Sequence, residues 1–393
     1  MRISSVSSSI LFAYGFRFFF LASALWAIFA VAVWMISLLN INSSLSYHVG
    51  AAWHGHEMLY GYISASAAGF LLTATPIWSK KPALSGKHLF QLALIWLVGR
   101  MAMLSVGWLP LWLIALAEII FPLVIVIVIT PTLWHTGNKI HRIFPALLSF
   151  FLLGDILHYA QELNVIQYSS NVGLFVGIDA IIFFLIMVGG HIMPMFTKTA
   201  LEENSSGINF SIQPWIEISS SILMIVIMIC EIVGKNDSVL GLFFLLLSVI
   251  QFIRFSRWHS LKIIRIPILS ILHIGYLFLI IGLALRGLSC FNVLLSQSDA
   301  LHTLTIAAMG LFTVGIMSRV TLTHTGRSLH TDFDYILCLS LILLSSIARV
   351  TLYSLSPLTS AMISGCLWIF AFTLFIKMYF AALTNARVDG LPG

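Results

Sequence analysis

The chain has 393 residues, 60% hydrophobic and 9% charged, whereas a soluble domain carries about 25% charged residues, and this balance excludes a water-soluble fold. The formal net charge of +6 sits on single cations at the ends of apolar runs rather than in a dense patch, which excludes nucleic acid as a partner and leaves the lipid bilayer as the medium. Domain arithmetic from length does not apply, because the bilayer replaces a compact core, and residues 1–393 read as a single transmembrane domain.

The first apolar run, 16–39, outlasts the core of a removable signal peptide and has the ~20-residue length of a spanning helix. The second, 51–77, opens on "WHGHEML", which holds His54, His56 and Glu57. In a helix His56, Tyr60 and Ser64 form a polar stripe, while His54 heads a face of Met58, Gly61, Ala65 and Gly69 suited to close helix contact. Glu57 follows His54 by three residues, where it could orient that ring. Runs at 89–106, 108–130 and 143–160 come next, and the last sets Asp155, His158 and Glu162 on one face. Further runs span 172–194, 212–233 and 238–255. The run 266–286 aligns Ser270, His273 and Tyr276, and 300–320 aligns His302, Thr305, Met309 and Thr313. The runs 335–354 and 360–382 complete the set.

Backbone groups in lipid must be bonded internally, so continuous runs predict helices, and a β-barrel would show short alternating segments instead. The expected fold is an all-α polytopic bundle of about twelve transmembrane helices, with no evident internal repeat. With the N-terminus inside, sixteen of the twenty Lys and Arg residues face the cytoplasm, and Arg100, Lys235, Arg286 and Arg349 face outward. That bias predicts N-in, C-in topology. Cys230, Cys290, Cys338 and Cys366 form no pair at metal-ligand spacing and read as packing residues.

The same topology sorts the histidines by depth. His48, His54, His56, His158 and His302 fall on the outer side. His88, His135, His141, His191, His259, His324 and His330 fall on the inner side, and of these His88, His135, His141, His259 and His330 read as solvated loop residues. His273 lies 8 residues from Arg265 and 13 from Arg286, which places it near mid-membrane. Imidazole is a common ligand for copper and haem iron, often oriented by a carboxylate behind it; Glu57 and Asp155 are the carboxylates available. The outer histidines therefore read either as a haem or copper site or as a polar cap and hydrogen-bonded structural residues. His54 and His56, two residues apart, do not point the same way in a regular helix and would serve different partners. The methionines are scattered and read as core filling.

Several segments together resemble the NnrS family of bacterial membrane proteins: "YGFRFFFLA" (14–22), "WHGHEMLYGY" (53–62), "AGFLLTATPIW" (68–78), "GGHIMPMFTKTAL" (189–201), "LHIGYLFLIIGLALRGL" (272–288) and "ALHTLTIAAMGLFTVGIMSRVTLTHTGR" (300–327). The resemblance implies a twelve-helix protein of the bacterial inner membrane, containing haem b and copper and linked to nitric oxide metabolism and nitrosative stress. Carried over, it singles out His54, His56, Glu57, His273 and His302, with Arg319, His324 and Arg327 at the inner end of the 300–320 run. Where the family pattern often has Arg this chain has His191, so no role passes to that position.

The expected metal ligands are His54, His56, His158, His273, His302 and His324, and the expected cofactor contacts are His54, His56, His273, His302, Arg319 and Arg327. His324 follows His302 by 22 residues, ~33 Å along a continuous helix, so the two cannot share a site. "THTGR" (323–327) is then a second, inner-side site or a structural turn in which Arg327 meets an anion such as a haem propionate. The implied ligand is nitric oxide, its iron adducts or a related small molecule, bound in protection against nitrosative stress, and the resemblance leaves open whether the protein is a haem/copper oxidoreductase, a sensor or a carrier. No CxxCH or iron–sulfur motif is present, so turnover would need a quinol or redox-protein donor. The alternative is a proton-coupled secondary transporter working through Glu118, Asp179, Glu217 and Glu231.

Overall fold

The structure is a computed structural model and describes residues 9–40, 48–134, 136, 139–168, 171–202, 213–234, 237–293 and 295–391. His135 and Lys235 lie outside the described residues. The helices are α1 (Gly15–Leu38), α2 (51–79), α3 (Gly86–Leu104), α4 (Leu111–Trp134), α5 (Ile143–Glu162), α6 (Val172–Glu202), α7 (Pro214–Val233), α8 (Asp237–Phe255), α9 (Pro267–Ser289), α10 (Gln297–His324), α11 (Phe333–Thr351) and α12 (Pro357–Thr384). Among the described residues ten helices, α1 and α4 to α12, are long and apolar enough to cross a membrane. Helices α2 and α3 occupy the other two predicted runs but stand outside that ten. They carry the buried His56, Glu57 and Arg100.

The apolar faces run opposite to those of a soluble protein. Ile218, Ile222, Ile225, Ile229 and Val233 form an exposed stripe along α7, and Val239, Leu242, Leu246, Val249 and Phe252 form one along α8. Steps of three and four residues keep each stripe on one helix face. Such faces are stable only against lipid. The chain is an all-α multi-pass membrane protein.

The chain divides into two compact units. The first holds Met1–Ala180, Met317–Leu329 and Phe372–Gly393, and thus α1 to α5, the start of α6 and the ends of α10 and α12. In it α1 packs on α2, α3 on α4, and α4 on both α2 and α5. The second holds Ile181–Ile316 and His330–Ala371. There α8 packs on α7 and α9, and α10 packs on α9 and α11.

A local repeat, undetected in the sequence, emerges inside each unit. Helix α2 runs as Ala51–His56 in α geometry, Glu57–Ile63 as a wide π-helical stretch and Ser64–Ser79 in α geometry again. Helix α10 does the same: Gln297–His302, a π stretch over Thr303–Met309, then Gly310–His324. Each π stretch begins directly after a histidine, His56 or His302. In each unit an arginine of the following helix reaches back to an acid beside that histidine, Arg100 to Glu57 and Arg349 to Asp299. π-Helical turns loosen the backbone ladder and occur often at functional sites. In α2 the loosened carbonyls are met by side chains: Ser23 Oγ donates to Tyr62 O (3.0 Å) and Trp96 Nε1 to Gly61 O (3.2 Å).

Candidate metal centre

Four helices of the first unit bring titratable side chains to one buried point, and α1 adds a tryptophan. α2 contributes His56 and Glu57, which are adjacent in sequence and both turned inward where the π stretch begins. His56 Nδ1 lies 3.1 Å from Glu57 Oε1, and Nε2 lies 3.2 Å from Asp155 Oδ1 of α5. Glu57 also accepts from Trp26 Nε1 of α1 at 2.8 Å and from Arg100 Nη1 of α3 at 2.7 and 2.8 Å. The other end of Arg100, Nη2, donates to Glu118 Oε2 of α4. Trp26 and Trp96 hold the guanidinium over their ring faces at 5.7 and 5.8 Å. His56, Glu57 and Glu118 each present a ligand atom within 4.8 Å of the others.

Close helix contact makes this convergence possible. At Gly61 a Cβ would fall 2.6 Å from Arg100 Nη1, so only glycine lets the arginine cross α2 at that height. On α6, Gly173 and Gly177 form a small-xxx-small pair against Gly154 of α5 and Tyr60 of α2. A Cβ at Gly173 would run into the His158 backbone, and one at Gly177 into the Tyr60 hydroxyl. Gly177→Ala is therefore expected to push Tyr60 and α2 off their seat, costing about 1–3 kcal/mol of stability by overpacking. The unfolding midpoint in uncharged detergent measures it; an unchanged midpoint would mean that α6 yields freely.

The cluster is not self-sufficient. Three carboxylates face one guanidinium, which with a neutral His56 leaves two formal negative charges, and with an imidazolium one, in a space closed to water. Glu118 Oε1 and Asp155 Oδ2 are buried and find no hydrogen-bond partner among the described residues. Carboxylate oxygens in such surroundings need a cation or a proton. The ring of His158 lies 5.2 Å from that of His56, centroid to centroid, and makes no hydrogen bond among the described residues.

The family model described as NnrS protein matches residues 10–387. The chain belongs to the NnrS family. No curated protein matches it.

In this NnrS chain the histidines separate as their spacing suggested. His56 turns inward while His54 stacks on Trp34, with ring centroids 5.1 Å apart. Glu57 bonds to His56 and not to His54, because the wide turn faces its carboxylate towards α1 and α3. Asp155 meets His56, as a carboxylate behind an imidazole should, and Glu162 of the same predicted face is exposed at the helix end.

Elsewhere the expected residues stand apart from the cluster. In the second unit His273 Nδ1 faces Ser260 Oγ at 2.7 Å and Nε2 faces Thr197 Oγ1 at 3.0 Å, so it sits beside the α8–α9 connection and not at the helix middle. His302 places Nδ1 2.6 Å from the Ser298 carbonyl, which fixes the proton there and leaves Nε2 as the acceptor nitrogen. His324 closes α10, its ring against Phe16, and Arg319 and Arg327 flank it half-buried. His141 is buried and stacked on Trp78 at 4.7 Å, which corrects its reading as a solvated loop residue: the aromatic face draws it in. His88, His259 and His330 are exposed.

Two residues of the cluster differ from their sequence expectation: Arg100, an outer-side topology cation by charge bias, and Glu118, a candidate transporter acid, both stand in the cluster. The signal for Arg100 was an arginine inside an apolar run, which by cost alone marks a functional position. Three of the four proposed transporter acids are committed to arginines: Glu118 to Arg100, Glu217 to Arg254 at 2.6 Å and Glu231 to Arg286 at 2.6 Å.

Proposed function

We propose that the chain is a haem- and copper-binding protein of the bacterial inner membrane that binds nitric oxide or a related small ligand and protects against nitrosative stress. The observation that carries this reading is the buried cluster: one imidazole and two carboxylates within 4.8 Å, two negative charges left over when His56 is a neutral ligand, and orphaned oxygens on Glu118 and Asp155. A divalent cation matches that charge, and a nitrogen–oxygen donor set suits copper(II). Arg100 limits how close the metal comes to Glu57, whose two oxygens it already holds. Glu118 Oε1 is the open donor, His56 Nδ1 and Glu57 Oε1, which face each other at 3.1 Å, would part to take a metal between them, and Asp155 orients the His56 ring through Nε2.

For haem the residue best prepared to hold the iron would be His302. Its Nδ1 is pinned to a backbone carbonyl, so a neutral ring presents Nε2 in a fixed direction. His273 has both nitrogens engaged by hydroxyl groups and is the weaker candidate. When bound, a haem iron with an open position takes up nitric oxide, and copper offers a second redox centre. Nitric oxide is small, uncharged and lipid-soluble, so the protein needs no charged funnel to admit it. An external quinol or redox protein is the proposed electron source for any turnover.

Cells lacking the protein, complemented with wild type or His56→Ala/His302→Ala at matched expression and challenged with a nitric oxide donor, test the reading. Wild type is expected to protect and the double variant to fail. Equal protection by both would remove the histidines from the function. A second reading rests on the same orphaned oxygens: two protons would also neutralise them, as a proton-coupled transporter requires. Metal content separates the two.

A further inference from the structure

Arg17 is fully buried yet only half bonded. Its Nη1 donates to the carbonyls of Ala382 (3.1 Å), Leu383 (3.1 Å) and Asn385 (2.8 Å), closing the end of α12. Its Nε and Nη2 are shut off from solvent and find no acceptor among the described residues. Those two N–H groups lie on one edge of the guanidinium and form the fork that takes an oxyanion side-on. A buried charged donor left unmade is costly, so an empty fork calls for a ligand.

The surroundings are of the same kind. Phe16 ties α1 to α2 through Thr73 Oγ1 (3.2 Å) and touches the His324 ring at 5.7 Å. Arg387 Nη1 donates to the His324 carbonyl at 2.9 Å, and Val388 N to the Thr325 carbonyl at 3.3 Å. The ends of α2, α10 and α12 thus meet the start of α1. Arg327 and Arg387 lie close enough for their charges to act on Arg17. The acid found here is Asp389, which the Arg387 guanidinium grips at 2.6 and 2.9 Å and holds at a pKa of about 2. Two positive charges remain over. Towards the ends of α2 and α10 the hydroxyls of Thr75, Ser318 and Thr321 are also buried without partners among the described residues.

The geometry points to an oxyanion site at this end of the first unit, in which Nε and Nη2 of Arg17 grip a phosphate group side-on and Arg327 supplies a second cation. The cation bias puts this end at the inner membrane surface, where lipid phosphates lie. The phosphate therefore belongs either to an anionic lipid headgroup or to a free phosphate ion. The site is independent of the metal centre and of the function proposed for it.

The test uses full-length protein, stripped of lipid in an uncharged detergent, with the thermal unfolding midpoint as readout. Sodium phosphate is titrated against sodium chloride at equal ionic strength, and phosphatidylglycerol against diacylglycerol of the same chain length. Wild type is expected to gain a saturable rise in midpoint. Arg17→Lys, which keeps the charge but loses the fork, is expected to weaken the half-saturation point by about tenfold. Arg327→Gln leaves the α12 cap intact and is expected to weaken it several-fold, so it carries the test if Arg17→Lys does not fold. Saturation by phosphate alone identifies the free ion, and a response to phosphatidylglycerol only identifies the headgroup. No saturable response to either in wild type, or an undiminished response in the variants that fold, overturns the proposal.

Discussion

Arg100→Met is expected to cost about 3–5 kcal/mol of stability, because it removes one partner from a buried ion-pair network and leaves the rest uncompensated. Glu57 would lose two bonds at 2.7 and 2.8 Å, and Glu118 its only one. Methionine fills the same channel between Trp26 and Trp96, so lost packing contributes little and lost charge nearly everything. Adding Glu118→Gln to Arg100→Met should restore part of the stability, since it removes one of the charges stranded by the first change. Unfolding in mixed micelles measures both variants. A loss below 1 kcal/mol (~1, the range of exposed pairs) for the single variant would mean that water reaches the cluster.

The second large effect concerns haem. His302→Ala should abolish the Soret band of the purified protein, whereas His273→Ala should leave it in place. The difference rests on hydrogen bonding: His302 has Nδ1 fixed by the Ser298 carbonyl and Nε2 left as the acceptor, while both nitrogens of His273 are held by Thr197 and Ser260. A Soret band kept by His302→Ala and lost by His273→Ala would exchange the two roles. A band kept by both would place the axial ligand on another side chain.

Much of the fold was legible because lipid leaves few choices. An apolar run must be a helix, so the predicted 16–39 and the observed Gly15–Leu38 differ by one residue at each end. The divergence of His54 and His56 was also legible, since it follows from their separation along a helix. The cluster itself was not. Glu57 and Arg100 are 43 residues apart, and His56 and Asp155 are 99 apart; no periodicity along one helix encodes which face of another it will meet. The π stretches were invisible for a related reason. A helical wheel assumes a constant turn, and a wide turn shifts every later residue around the axis. Gly173 and Gly177 did carry a readable sign of close packing, as a pair of small residues four apart on an apolar helix.

The central claim is that the His56, Glu57 and Glu118 cluster holds a metal. The most direct measurement is the metal content of the purified protein by mass spectrometry, for wild type, His56→Ala and Glu118→Gln. Wild type is expected to hold about one copper per chain at this cluster, lost from His56→Ala and weakened by at least ~10-fold in Glu118→Gln. Intact, folded wild type that takes up no copper or other divalent metal, or a His56→Ala variant that keeps the full amount, would contradict it and leave protons as what balances those two charges.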